Sequence, residues 1–141
     1  MSRLNWRRIF AGGILAGLVA SLVYVPYYFA CRDELARVVV SRQLPSDWLG
    51  REFAYGAVAM PSIGILCVWL YAAIRPRFGS GPRAAVIAAV VFWGITLLAE
   101  AAYQALGLWP WWLFAVNKLT DLAAITLGTL AGAYLYKEDQ V

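Results

Sequence analysis

Long apolar blocks alternate with short polar segments along this chain. Four such blocks occur, and each is long enough to cross a hydrocarbon core as a helix, which takes about 20 residues. The predicted spans are approximately residues 7–30, 50–74, 84–106 and 110–136. We therefore predict an all-α fold, an integral membrane four-helix transmembrane bundle in which residues 1–141 form a single domain.

The polar segment between the first two blocks has its own pattern. Within residues 32–43, Leu35, Val38 and Val39 fall on one side of a helix and Arg37 falls elsewhere. This spacing predicts a short interfacial helix lying on the membrane surface between helices 1 and 2. Continuation of the first helix beyond the membrane fits the same pattern equally well.

Composition supports the membrane class. Of the 141 residues, 62% are hydrophobic and 14% are charged, and mean hydropathy is +0.66. A soluble domain is closer to half apolar and a quarter charged. The net charge of +4 arises largely from arginines that flank the apolar blocks, where the positive-inside bias explains them. The lipid bilayer is therefore an expected partner and nucleic acid is not.

The basic residues also predict an orientation. One side of the membrane would carry seven of them and the other side four. The seven are Arg3, Arg7, Arg8, Arg75, Arg77, Arg83 and Lys137, and the four are Arg32, Arg37, Arg42 and Arg51. This excess predicts that both termini are cytoplasmic. Arg75, Arg77 and Arg83 are also candidates to hold an anionic lipid head group, although ordinary membrane anchoring explains them as well.

Polar side chains interrupt the third and fourth spans. Glu100 and Gln104 share one helix face, and Asn117, Lys118 and Asp121 lie within about one turn of each other. Glu100 and Lys118 lie about 9 Å and 12 Å from the turn that joins the two spans. This similar depth predicts a Glu100–Lys118 ion pair, with Asp121 nearer the midplane.

Two interpretations of this polar cluster are open. One is a structural network that fixes which helices pair and in what register. The other is a pathway for a proton, a cation or a small polar ligand, since ionisable residues inside a membrane are often functional.

Small residues recur at spacings of four or eight residues in three spans, a pattern that lets helices approach closely. The candidate packing positions are Gly13, Gly17 and Ser21 in the first span, Gly56 and Gly64 in the second, and Gly128 and Gly132 in the fourth. Internal packing, including contact between the first and last helices, is the favoured use. In the first span, Tyr24, Tyr27 and Tyr28 fit an aromatic belt at the membrane interface.

The chain lacks the residues of common catalytic sites. Without histidine it has no Ser-His-Asp triad, no His-ligated metal and no conventional haem site. It also has no glycine-rich phosphate loop on a strand–helix unit. We therefore predict no enzymatic activity, no metal and no cofactor.

Two sequence motifs resemble those of a known group of membrane proteins. Residues 71–83 read Tyr-Ala-Ala-Ile-Arg-Pro-Arg-Phe-Gly-Ser-Gly-Pro-Arg, and residues 130–138 read Leu-Ala-Gly-Ala-Tyr-Leu-Tyr-Lys-Glu. They are similar to the central loop and the ending of a group of small bacterial four-helix inner-membrane proteins. Ser80 stands where that group usually has proline. The resemblance implies the four-span fold and a bacterial inner membrane, and it implies no mechanism.

These patterns lead to two functional hypotheses. The first is a non-enzymatic small polytopic membrane protein that acts through helix–helix or lipid interaction, with a second copy or another membrane protein as its partner. The alternative is an oligomeric small transporter or channel for protons, cations or a small polar ligand. In that alternative the pathway consists of the intramembrane Glu100, Lys118 and Asp121 cluster.

Overall fold

A computed structural model of the chain describes residues 4–45 and 47–136. Within these residues the protein consists of four helices and contains no strand. They are α1 (Trp6–Ser41), α2 (Trp48–Phe78), α3 (Pro82–Ala105) and α4 (Trp111–Leu135). All four are long and apolar enough to cross a membrane. The prediction of an all-α, multi-pass four-helix bundle is thereby confirmed. Arg3 and residues 137–138, used in the orientation count and the resemblance, lie outside the described residues.

The structure corrects the prediction of a separate interfacial helix between the first two spans. Helix α1 runs without a break through Pro26 and includes residues 32–41. Its 36 residues span about 54 Å, well beyond a hydrocarbon core of about 30 Å. The reason is tertiary packing, because Leu35 and Val38 are buried with Leu113 of α4. The apolar face that suggested a membrane surface is covered by protein instead.

The connection between α2 and α3 is shorter than the sequence suggested. Arg75 and Arg77 belong to the last turn of α2, which ends at Phe78. Gly79 then adopts a positive φ of 87°, and its N–H donates to the Arg75 carbonyl at 2.9 Å. Pro82 begins α3 in the first-turn position that suits proline.

Helix α1 is antiparallel to α4 along its whole length. At one end the Arg8 guanidinium donates to the Leu135 carbonyl at 3.3 Å. At the other end the Arg42 guanidinium donates to the Gly107 carbonyl in the turn before α4. Helix α1 also packs on α2, and α3 packs on α2 and α4. Within the described residues α1 and α3 do not pack on each other, so they occupy opposite sides of the bundle.

Glycines bring the backbone of α1 against both of its neighbours. A Cβ atom added at Gly17 would lie 2.6 Å from the Met60 carbonyl oxygen of α2. One added at Gly12 would lie 2.6 Å from the Gly132 carbonyl oxygen of α4. Gly13 of α1 and Gly64 of α2 are likewise in direct backbone contact. Both interfaces therefore depend on the absence of a side chain.

The remaining small residues divide between contact and open positions. At Gly128 an added Cβ would lie 2.5 Å from the Ala16 carbonyl oxygen, so this glycine belongs to the α1–α4 interface. A Cβ atom added at Gly56 would have no atom of the described residues within 4 Å. Ser21 is exposed, and its hydroxyl donates to the Gly17 carbonyl of its own helix at 2.9 Å. Ser21 and Gly56 thus take no part in the helix packing expected of them within this described chain.

Burial is uneven along α2 and α3. The buried residues of α2 lie between Gly64 and Ala72, and those of α3 lie between Ala84 and Ala89 with the addition of Gln104. Toward the end of the bundle where α3 joins α4, here called the turn end, both helices are uncovered. We define the open face as residues 49–59 of α2 and 94–103 of α3, none of which is buried by the described residues.

Candidate functional site: an intramembrane ion cluster

Lys118 lies at the centre of the polar cluster. Its side chain is only 5% exposed, and its ammonium donates to Glu100 Oε2 at 2.6 Å. The same ammonium donates to Asp121 Oδ2, one turn along α4. Lys118 therefore bridges a carboxylate on α3 and a carboxylate on its own helix, and the structure brings together the pair that similar depth predicted.

Asp121 extends the cluster to a third helix. Its side chain is 8% exposed, and its second oxygen, Oδ1, accepts a hydrogen bond from the Tyr24 hydroxyl of α1. A continuous series Tyr24–Asp121–Lys118–Glu100 thus crosses the bundle from α1 through α4 to α3.

Sequence reasoning missed Tyr24, which it assigned to an interfacial belt. The signal was present in the spacing of the glycines. Because Gly12 opposes Gly132 across antiparallel helices, moving 12 residues forward on α1 and 11 residues back on α4 brings Tyr24 level with Asp121. A pairing of the two stripes would have placed the tyrosine beside the carboxylate.

Two aromatic side chains support Lys118. The Trp93 indole N–H of α3 donates to the Lys118 backbone carbonyl at 2.9 Å. The Lys118 ammonium also lies 5.8 Å from the centroid of the Phe114 ring, within cation–π range. Trp93 thereby ties α3 to α4 at the level of the cluster.

The other two predicted site residues have different partners. Gln104 donates through Nε2 to the Trp109 carbonyl at 2.9 Å, inside the turn between α3 and α4. Its Oε1 is buried and accepts no hydrogen bond within the described residues. Asn117 interacts with the Tyr27 hydroxyl of α1. The structure therefore joins Glu100, Lys118 and Asp121 into one cluster and places Gln104 and Asn117 beside it.

The cluster carries unequal charge. It contains two carboxylates and one ammonium, and no other ion pair reaches these carboxylates within residues 4–45 and 47–136. The Glu100 side chain is 46% exposed, whereas those of Lys118 and Asp121 are buried. With all three groups ionised, one negative charge remains, and the group with free surface is Glu100, on the open face.

The three arginines near the α2–α3 connection lie at the opposite end of the bundle. The Arg75 guanidinium lies 5.7 Å from the centroid of the Tyr136 ring. Arg77 and Arg83 are exposed at the end of α2 and the start of α3. The exposed pair is available to lipid head groups, and Arg75 is engaged with the end of α4.

Within the described ranges, no group of three Cys, Asp or Glu side chains lies close enough to hold a metal ion. No family model, no curated protein and no solved structure matches this chain. The resemblance to small bacterial four-helix proteins therefore stays a prediction.

Proposed function

We propose that this chain is a non-enzymatic membrane protein that binds a partner within the membrane through its open face. The observation that carries the proposal is the half-exposed Glu100 carboxylate, which lies on that face and belongs to a cluster of two carboxyl groups and one ammonium. We further propose a bacterial inner membrane, supported by the resemblance of residues 71–83 and 130–138. The arginine distribution supports an orientation with both termini in the cytoplasm.

The glycine stripes support this proposal in an indirect way. Gly12, Gly13 and Gly17 are occupied by α2 and α4 of the same chain. They are therefore unavailable to a partner, and the binding surface has to lie elsewhere. The turn-end halves of α2 and α3 offer such a surface, where large apolar side chains such as Phe53 and Leu98 are exposed.

The depth of Glu100 makes a partner favourable. It lies five residues before the end of α3, or about 7.5 Å along the helix axis. A charged side chain at such depth is costly when it faces lipid, and it is usually directed toward protein or a water-filled cavity. A partner that covers Glu100 would remove part of this cost, and the free energy gained would favour association.

Native mass spectrometry in lipid nanodiscs tests the proposal. The tagged chain would be extracted from the membranes in which it naturally occurs, and its mass compared with the 15.6 kDa of one copy. We expect a heavier complex that is lost in Glu100→Gln and retained in Asp33→Asn, a matched change at an exposed carboxylate of α1 outside the open face. A single-copy mass for the wild type, or a complex that survives Glu100→Gln, would contradict the proposal.

A second candidate function is an ion pathway. The observation in its favour is the unbroken series Tyr24–Asp121–Lys118–Glu100, which connects a buried carboxylate to one with free surface. Neighbouring hydrogen-bonded ionisable groups of this kind are typical of proton and ion routes in membranes. A transporter or channel of this design would act as an oligomer.

Flux into liposomes tests the second function. Proton or cation entry would be compared for wild type, Glu100→Gln and Asp121→Asn, each shown to be folded. Flux that disappears in the folded variants would favour transport. No flux from the wild type would reject it and leave partner binding as the function.

Arg77 and Arg83 are proposed contacts for anionic lipid head groups. Both are exposed and carry like charge at the same end of the bundle. Replacing both with glutamine should reduce binding of the purified protein to anionic vesicles while leaving its melting temperature unchanged. Unchanged vesicle binding would reject this role.

A further inference from the structure

The chemistry of the open face identifies the kind of partner. We infer that the partner is a different transmembrane helix carrying a lysine or arginine, which enters along the open face and pairs with Glu100. This inference rests on the proposed function, since it names the partner of the same surface.

Charge complementarity is the first argument. Lys118 is shared between Glu100 and Asp121, so the cluster lacks one positive charge when its three groups are ionised. Asp121 is buried and accepts from both Tyr24 and Lys118. Glu100 has a hydrogen bond only from Lys118 within the described residues, through Oε2. Its other oxygen, Oε1, is where an arriving cation would bind.

A second acceptor close by also lacks a donor. Gln104 follows Glu100 by four residues and therefore shares its helix face, one turn nearer the turn end. The residue is only 3% exposed, and its Oε1 accepts no hydrogen bond from the part of the chain that the structure describes. A lysine or arginine side chain brings several N–H donors. The exposed Glu100 can accept one directly, whereas the buried Gln104 oxygen can accept one only if its side chain turns toward the surface.

Exposed apolar residues accompany Glu100 on the open face. Tyr103, three residues after Glu100 and therefore on the same side of α3, is 60% exposed, and Val58 is exposed on α2. The space beside Gly56 is open, so another helix backbone has room to approach α2 closely. An apolar helix with one basic residue would cover this surface and supply the missing charge.

A second copy of this chain does not offer that residue. Its intramembrane cation, Lys118, is already buried between two carboxylates. The described arginines lie toward helix ends; Arg51, which lies on the open face itself, already pairs with Asp47 at 2.9 Å. The positive charge at the depth of Glu100 must therefore come from another protein.

Synthetic helices test this inference directly. A polyleucine transmembrane peptide with one lysine at the depth of Glu100 would be compared with the same peptide carrying leucine there. Association with the purified full-length chain would be measured in liposomes by fluorescence energy transfer. We expect the lysine peptide to bind at least tenfold more tightly, with this advantage lost in Glu100→Gln and kept in Asp33→Asn, a change at an exposed carboxylate of α1 outside the open face.

A second variant guards against a folding defect in Glu100→Gln. Gly56→Leu adds a side chain where the described residues leave open space, so the chain itself should tolerate it. It should nevertheless weaken binding of the lysine peptide, because the added side chain fills the face along which the peptide approaches.

Each outcome decides the inference. Equal binding of the two peptides would overturn the requirement for a basic residue, while partner binding through the open face would stand. Binding of neither peptide, together with self-association of the chain that Gly56→Leu abolishes, would also overturn it and would make a second copy the occupant.

Discussion

The Lys118 ammonium lies 2.6 Å from Glu100 Oε2, although the two residues stand on different helices and differ in exposure. Through this contact the buried carboxylate of Asp121 is connected to a carboxylate with free surface. The cluster is therefore closed toward α1, where Tyr24 donates to Asp121, and open toward the face of α3. The buried Asp121 and Lys118 are therefore the structural part of the cluster, and the exposed Glu100 is the part available for binding.

Replacing Lys118 with methionine should strongly destabilise the bundle. The change leaves Asp121 buried without its cation, and breaking a buried pair costs about 3–5 kcal/mol. The double variant Lys118→Met/Asp121→Leu should recover most of the loss, because no unpaired buried charge then remains. Thermal unfolding in detergent would measure both.

A surface pair is the control for this experiment. Arg32 and Asp33 are 74% and 82% exposed in their side chains, and such pairs contribute about 0–1 kcal/mol. Arg32→Ala should thus leave the melting temperature nearly unchanged. A Lys118→Met variant as stable as Arg32→Ala would contradict a structural role for the cluster.

Loss of the Tyr24 hydroxyl should weaken the contact between α1 and α4. Tyr24→Phe removes the donor to Asp121 while keeping the ring, and we expect a loss of about 1 kcal/mol in the free energy of unfolding. Tyr55→Phe is the matched control, since Tyr55 is exposed on α2. Equal stability of the two variants would show that the Tyr24 bond contributes nothing.

The glycines between α1 and α4 should not tolerate a side chain. Gly128→Val would place its Cβ 2.5 Å from the Ala16 carbonyl oxygen, and overpacking of this kind typically costs about 1–3 kcal/mol. Gly94→Ala should be neutral or stabilising, because the described residues leave open space there and alanine favours a helix. Fluorescence-detected size exclusion after heating would compare them. Similar melting of both variants would contradict the packing described for α1 and α4.

Chemical labelling tests the proposed orientation. Single cysteines introduced at Arg77 and Leu108 lie at opposite ends of the bundle, and the two natural cysteines are buried. With both termini in the cytoplasm, a membrane-impermeant thiol reagent should label Leu108→Cys in intact cells. Arg77→Cys should be labelled only after the cells are opened. The reverse pattern would invert the topology.

Predictions from the sequence were most accurate where a short connection fixes how two helices align with each other. A short turn joins α3 and α4, so counting residues from it was enough to bring Glu100 and Lys118 to similar depth. The four apolar blocks likewise defined the spans, because crossing hydrocarbon demands a minimum helix length.

The features that depend on distant packing could not be predicted in this way. The pattern of residues 32–43 fits a lipid surface and a protein surface equally well, and only the contact of Leu35 and Val38 with Leu113 decides between them. Gly56 has the same local spacing as Gly64, yet only Gly64 contacts α1. The spacing of residues shows which face of a helix carries small side chains, but it does not show which neighbour covers that face.

Site-specific photo-crosslinking tests the central claim that the open face around Glu100 binds a partner. A photoreactive amino acid would replace Tyr103 on the open face or Leu22 on α1, which are 60% and 69% exposed. In native membranes we predict a protein adduct from position 103 that disappears in Glu100→Gln, and none from position 22. Adducts of equal yield at both positions, or an adduct at 103 that persists without the Glu100 carboxylate, would contradict the account.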